Sequence, residues 1–385
     1  MAIIAKRLAP FGSTIFAEMT ALAESKGAIN LSQGFPDFDG PPEIVAAAIE
    51  AMKAGHNQYA RSRGCPALVQ AIAASRQRLY GLSYDPLTEV IVFSGATEGI
   101  AASILGLLNE GDEAILFEPF YDSYPACVTL AGATPRYLTL RFPSFAFDRE
   151  SLERLIGPRT RLIVLNTPHN PTGKVFSVAE LQTIAAVCCE HNLLVIADEV
   201  YEHLTYDETA HVPIASLPGM RERTLTLSST GKSFSFTGWK IGWGTGPAAL
   251  VDAAQAAHQF LTFATATPLQ MAMATALANL DGTYLNELRR GYTAKRDYLA
   301  AVLGKVGFQV AMPRGTYFIM ADFSRVYRGN DKDFVRWLVD RCGVAAIPPS
   351  PFYSSDVDEG RHLVRFAFCK RMETLEKAAE RLLML

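Results

Sequence analysis

Between residues 85 and 250, short strand-like runs alternate with helical patterns. The runs fall at 90–93, 114–117, 136–140, 162–165, 193–197, 224–227 and 241–245. Several are almost continuously apolar, the pattern of strands covered on both faces. Helical periodicity falls between most of them, at 97–108, 122–131 and 178–190. This alternation predicts an α/β fold, with a mostly parallel central sheet flanked by helices.

The last third of the chain is patterned differently. Residues 247–280 are Ala-rich and read as one long helical stretch. A second helix at 286–306 carries Glu287, Arg289, Arg290, Lys295 and Arg296. Strand-like runs at 316–321 and 363–368 bracket a helix at 332–341 and a proline-rich loop at 348–351. The expected layout is a large α/β domain over 46–285 and a small α+β domain over 286–385, which the N-terminal segment 1–45 joins. No repeat or low-complexity tract interrupts it.

The composition narrows the class. The chain has 385 residues, 49% hydrophobic and 19% charged, an ordinary globular mixture that excludes a largely disordered chain. Lys and Arg number 36 against 39 Asp and Glu, a net charge of −3. That gives no broad footprint for nucleic acid or an anionic membrane. No apolar run reaches the roughly 18 residues of a membrane span, and residues 1–10 do not read as a signal peptide. The six cysteines, Cys65, Cys127, Cys188, Cys189, Cys342 and Cys369, form no CxxC pair and no zinc spacing. They read as buried, reduced thiols of a cytoplasmic protein, with no metal site expected.

Open parallel sheets bind ligands at the carboxyl ends of their strands, so the residues after each run are the place for chemistry. Ser94-Gly95-Ala96-Thr97 leads into a helix. Its small residues suit close approach of backbone N–H groups to an anion, or a plain turn capped by Thr97. Asn166 to Lys174 is a loop fixed by two prolines, in which Asn170 can offer its amide to a ligand. The run at 193–197 delivers Asp198, with Tyr201 beside it; a carboxylate there needs a partner or serves as an N-cap. Ser229 and Lys232 follow the run at 224–227, with Lys240 downstream. A lysine among apolar residues and near another cation is a usable amine nucleophile. Arg365, inside an aromatic strand, is either half of a structural ion pair or a carboxylate clamp. An amine, a carboxylate, a phenol, an anion cradle and an arginine together suit pyridoxal 5′-phosphate.

At this point the sequence resembles the class I/II aminotransferases, fold type I of the aspartate aminotransferase superfamily, over nearly its whole length. Asn166–Lys174, Asp198–Tyr201, Ser229–Trp243 and Arg365–Lys370 carry the resemblance. The stretches 30–38, 118–124 and 237–240 look most like the branch holding kynurenine aminotransferase, glutamine transaminase K and methionine aminotransferase. The resemblance implies that Lys232 forms the Schiff base with the cofactor and then moves the substrate proton. It implies that Asp198 pairs with the pyridinium nitrogen, that Tyr201 and Asn170 bond the phenolic oxygen, and that Tyr121 stacks on the ring. Ser229, Lys240 and the backbone of Gly95, Ala96 and Thr97 would hold the phosphate. Tyr59 would reach the phosphate of a neighbouring subunit, which implies a homodimer. Arg365 would clamp the substrate α-carboxylate, assisted by Asn170 and the Gly34 backbone.

Lys240 departs from the arginine of many superfamily members, keeping the charge but not the planar fork. No second arginine is placed for a side-chain carboxylate, which argues against aspartate as donor. Phe35, Phe260, Phe263 and Phe352 are candidates for an apolar side-chain pocket or for ordinary core. The expected reaction is transfer of an amino group from an amino acid such as glutamine, methionine, kynurenine or an aromatic one to a 2-oxo acid. A cysteine-conjugate or cystathionine β-lyase, or a non-catalytic sensor domain, are the alternatives. A nicotinamide enzyme is excluded, because no glycine fingerprint is followed by an acidic residue about 20 positions on.

Overall fold

The computed structural model describes residues 4–12 and 14–385. The reading of residues 1–10 therefore lies partly outside it, at 1–3. Among the described residues, no helix is long and apolar enough to cross a membrane.

Three sheets organise the chain. A two-stranded parallel pair joins β1 (Ile29–Asn30) to β11 (Val344–Ala345). The large sheet contains β2 (Val90–Ser94), β3 (Glu113–Glu118), β4 (Thr134–Thr139), β5 (Thr160–Asn166), β6 (Leu194–Asp198), β7 (Thr224–Ser229) and β8 (Ile241–Thr245). A third, antiparallel sheet holds β9 (Gln309–Ala311), β10 (Phe318–Asp322) and β12 (Leu363–Ala367).

The large sheet runs in the order β2-β8-β7-β6-β5-β3-β4. Its pairings are parallel except those of β8, which is antiparallel to both β2 and β7. Successive residues of β3 show why the strands are apolar throughout. Leu116 packs into one core with Phe93, Ile100 and Val251, while Ile115 and Phe117 pack into another with Ile163, Leu181 and Val195. Helices Gly95–Leu107 and Ala248–Leu261 cover the first face, and Val178–Glu190 covers the second. The last of these matches its predicted span and starts with a capping box between Ser177 and Glu180.

The predicted stretch at 247–280 is two helices, Ala248–Leu261 and Thr267–Ala278. Phe263 takes a left-handed φ of 66°, and Pro268 occupies the first turn of the second helix. A proline starts a helix well and disfavours helical backbone just before it, so apolar periodicity alone ran across the break. The helix predicted from 286 is Gly282–Val306, capped by Asp281, whose carboxylate accepts from Tyr284 N at 2.9 Å. The predicted division at 285/286 thus falls inside one helix. Thr316, with φ 63°, delays the strand predicted from that position until Phe318. Cys189 is exposed, against the expectation that all six thiols are buried; the other five are.

The N-terminal segment is sewn into the C-terminal sheet. Ile29 and Asn30 register with Val344 and Ala345, and Ala367 N donates to Leu31 O at 2.8 Å. This carries Ser32 and Gly34 to the carboxyl ends of the large sheet.

Candidate active site

A cavity of about 350 Å³ opens at those carboxyl ends. Its lining includes Gly34, Gly95, Ala96, Thr97, Tyr121, Asn170, Asp198, Tyr201, Ser229, Lys232, Lys240 and Arg365. Every residue assigned from the resemblance to the cofactor or to the substrate carboxylate is therefore brought together except Tyr59, which projects from the surface with 85% exposure.

Lys232 sits in the single turn Thr230–Ser233 that follows β7. Its Nζ donates to the Tyr317 hydroxyl at 2.8 Å and to Gly34 O at 3.3 Å. Tyr317 in turn donates to Gly34 O. The rings of Tyr201 and Tyr317 lie 5.6 and 5.5 Å from the amine. Desolvation pulls the amine down to about 8, and the positive charges of Arg365 and Lys240 push the same way.

Asp198 ends β6 and is buried. Tyr124 donates to its Oδ2 at 2.6 Å, and Val200 N to its Oδ1 at 3.3 Å. Its carbonyl accepts from Asn166 Nδ2 at 2.8 Å. Burial raises the carboxyl above its ordinary range, opposed by the Tyr124 hydrogen bond. It is not a helix cap.

Arg365 lies on β12 at 1% exposure. Its Nη1 donates to Asn170 Oδ1 at 3.0 Å and its Nη2 to Ser32 O at 2.9 Å, while Nε has no partner among the described residues. Phe318 lies 4.1 Å beneath the guanidinium and Phe16 5.1 Å away. Burial pulls the guanidinium down to about 10. No carboxylate among the described residues pairs with it, so the structural ion pair is set aside. A buried cation held only by neutral acceptors and rings is suited to an incoming carboxylate.

The opposite end of the cavity is an anion cradle. Helix Gly95–Leu107 begins at Gly95, not at Thr97 as the capping alternative required. Glu98 takes the N–H of Ser94 at 2.9 Å instead. Gly95 has φ 75°, and a Cβ there would stand 3.1 Å from Lys240 Cε and 3.3 Å from its Nζ. At Gly242 on β8, a Cβ would meet Ala96 N at 2.6 Å. These glycines let the helix start, the Lys240 ammonium and β8 crowd together. Ser229 Oγ accepts from Gly231 N at 3.1 Å beside them. The helix N-terminus and the ammonium both favour an anion.

Sequence reading missed Tyr317, Tyr124 and Asn166. Tyr124 stands three positions after Tyr121, with ring centres 5.7 Å apart, so that spacing was the available signal. Tyr317 carried none, because it reads as part of a strand. The predicted apolar pocket is corrected in part. Phe35 lines the cavity, and Phe352 is buried against Phe16. Phe260 and Phe263 do not line it: they are exposed, and Phe263 packs edge-on to Tyr59.

The donor set fits pyridoxal phosphate: a deprotonatable amine, a buried carboxyl fixed by a tyrosine, and a glycine cradle under a lysine. Known proteins agree. The family described as aminotransferase class I and II matches residues 26–382. The probable N-succinyldiaminopimelate aminotransferase DapC of Mycobacterium tuberculosis (strain ATCC 25618 / H37Rv) is 48% identical over 98% of this chain and 97% of its own. The solved structure of N-succinyldiaminopimelate aminotransferase from Mycobacterium tuberculosis superposes with a TM-score of 0.96 at 47% identity, covering 99% of both chains. The methionine aminotransferase of Escherichia coli (strain K12) is 40% identical over 98% of this chain and 97% of its own. The mouse kynurenine–oxoglutarate transaminase 3 is 41% identical over 98% of this chain and 89% of its own. With cavity, fold and sequence in agreement, the chain belongs to the class I and II aminotransferases, enzymes of fold type I that work with pyridoxal phosphate.

Proposed function

We propose that the enzyme moves the amino group of an L-amino acid with an uncharged side chain, such as methionine, glutamine, kynurenine or an aromatic one, to a 2-oxo acid in a ping-pong cycle. The observation that carries this reading is the charge inventory of the cavity. Its lining cations are Lys232, Lys240 and Arg365. Two face the cofactor's requirements, and one remains for a single carboxylate.

Pyridoxal phosphate, when bound, supplies an electron sink that labilises the substrate Cα proton. Lys232 Nζ would be the base that takes that proton, a role its lowered basicity suits. Asp198, held by Tyr124, would pair with the pyridine nitrogen. Tyr201 and Asn170 would bond the phenolic oxygen, and Tyr121 would contact the ring. Ser229, Lys240 and the backbone of 95–97 would hold the phosphate. Arg365 receives the α-carboxylate through Nε and its terminal nitrogens, with Asn170 and Gly34 orienting it. Tyr59, exposed beside Phe263, belongs to a homodimer face and would reach the neighbouring phosphate. The free thiols fit the reducing cytoplasm.

The 48% identical DapC favours a second reading, N-succinyldiaminopimelate as substrate. Its distal carboxylates find no additional cation in the described lining, which places it second. The test is a half-reaction on the holoenzyme with single donors and no oxo acid. Methionine, glutamine, kynurenine or phenylalanine should convert the yellow band to the pyridoxamine form. Conversion by the succinylated substrate alone would move the assignment to the second reading. Pyruvate and ammonia from cysteine conjugates would mark a β-lyase, and no conversion by any donor a sensor. A Lys232→Ala protein that still turned over would overturn the mechanism.

A further inference from the structure

Behind the cavity, on the far side of the loop after β6, lies a buried charge cluster that no step above uses. Arg76, on helix Pro66–Tyr80, donates from Nη2 to Glu199 Oε2 at 3.0 Å and from Nη1 to Glu202 Oε2 at 2.6 Å. All three side chains are at most 2% exposed. Tyr80 lies 4.6 Å beneath the guanidinium. Ser228, the residue before Ser229, donates to the other oxygen of Glu202.

Burying three charges is costly, and the cluster is closed on its other side by the His211 imidazole, whose Nε2 stands 3.1 Å from Glu199 Oε2. Apolar residues would fill the space more cheaply, so the cluster calls for a reason. Its connections supply one. Glu199 follows Asp198, and Glu202 follows Tyr201. Ser228 and Ser229 are the last two residues of β7, which runs directly into the turn carrying Lys232. A planar guanidinium whose two terminal nitrogens each hold one glutamate sets the spacing of both at once, which a lysine point charge cannot do.

We propose that Arg76 is a positioning residue, which locks Glu199 and Glu202 and, through Ser228, fixes the loop bearing Asp198 and Tyr201 against the strand end bearing Ser229 and Lys232. The brace rests on the roles proposed above for Asp198 and Lys232. It would hold the side chains proposed for the cofactor at one separation without itself lining the cavity.

The test uses Ser228→Ala and Arg76→Lys in the full-length enzyme. Ser228→Ala deletes one hydroxyl and keeps every charge pair. Three quantities are read beside thermal stability: the pyridoxal phosphate dissociation constant, the pH midpoint of the visible band, and kcat against amino-acid KM. Loss of a supporting contact of this kind costs about tenfold or more. The expectation is weaker cofactor binding by that factor in both variants, a displaced midpoint, and a lower kcat. The amino-acid KM stays, because Arg365 is outside the network. A lower melting temperature with cofactor affinity, midpoint and kcat at parental values would overturn the proposal. If Arg76→Lys does not fold, Ser228→Ala decides alone. Lys232→Ala is the control: if the band survives in that variant, the cofactor reading fails, and that outcome is distinct from failure of the brace.

Discussion

The side-chain nitrogen of Lys232 lies 2.8 Å from the phenolic oxygen of Tyr317, and both groups bond the carbonyl of Gly34. Three distant parts of the chain thus hold one amine. Tyr317→Phe removes the phenol and keeps the ring packing. We expect the cofactor to stay bound and kcat to fall roughly 10–100-fold, the scale of a misplaced reacting group. Steady-state kinetics with a saturating donor checks this, and an unchanged kcat would remove Tyr317 from the machinery.

The amine's acidity gives a pH prediction. A lysine lowered to about 8 is half neutral there, and only the neutral form attacks a carbonyl. The rate at which the apoprotein captures pyridoxal phosphate should climb from pH 6.5 and level off above about 8. Stopped-flow absorbance measures it. A rate still rising tenfold per unit at pH 10 would mean that Lys232 keeps the basicity of an exposed lysine.

Arg365→Ala should leave the visible spectrum of the holoenzyme intact and raise the amino-acid KM. Removing one member of a buried charge-assisted pair costs about 2–5 kcal/mol, or roughly thirtyfold and upward in binding. Loss of cofactor instead of substrate affinity would make the arginine a structural element.

Gly95→Ala probes the cradle. A side chain at φ 75° is strained by about 1–2 kcal/mol, and its methyl would push on Lys240 Cε and Nζ. We expect a modest fall in apoprotein melting temperature and a weaker hold on cofactor and on inorganic phosphate. Titration of both ligands reads it, and unaltered phosphate affinity would place the anion elsewhere.

What could be read from the sequence was local. Lys232, Asp198 and Asn170 each follow an apolar run, and burial on both sheet faces makes such runs conspicuous. The direction of β8 was not readable. Ile241 to Thr245 looks the same whichever way it lies, and its antiparallel setting depends on the turn at 230–240. Tyr124 and Tyr317 were missed for a related reason. Their partners, Asp198 and Lys232, stand 74 and 85 positions away, and only the folded chain closes those gaps. For Arg365 the residues alone left clamp and ion pair open and only the resemblance favoured the clamp, because what separates the two is the absence of a neighbouring carboxylate.

The seam between β1 and β11 imposes an order of assembly. Ser32 meets Arg365 across 333 positions, and closing a loop that long is among the slower events open to a chain. During synthesis Lys232, Asp198 and the cradle at Gly95 have all left the ribosome before Arg365 is made. On the roles proposed above, a nascent chain would hold the groups proposed for the cofactor before it holds the group proposed for the amino acid. Selectivity would then arrive with the last strand.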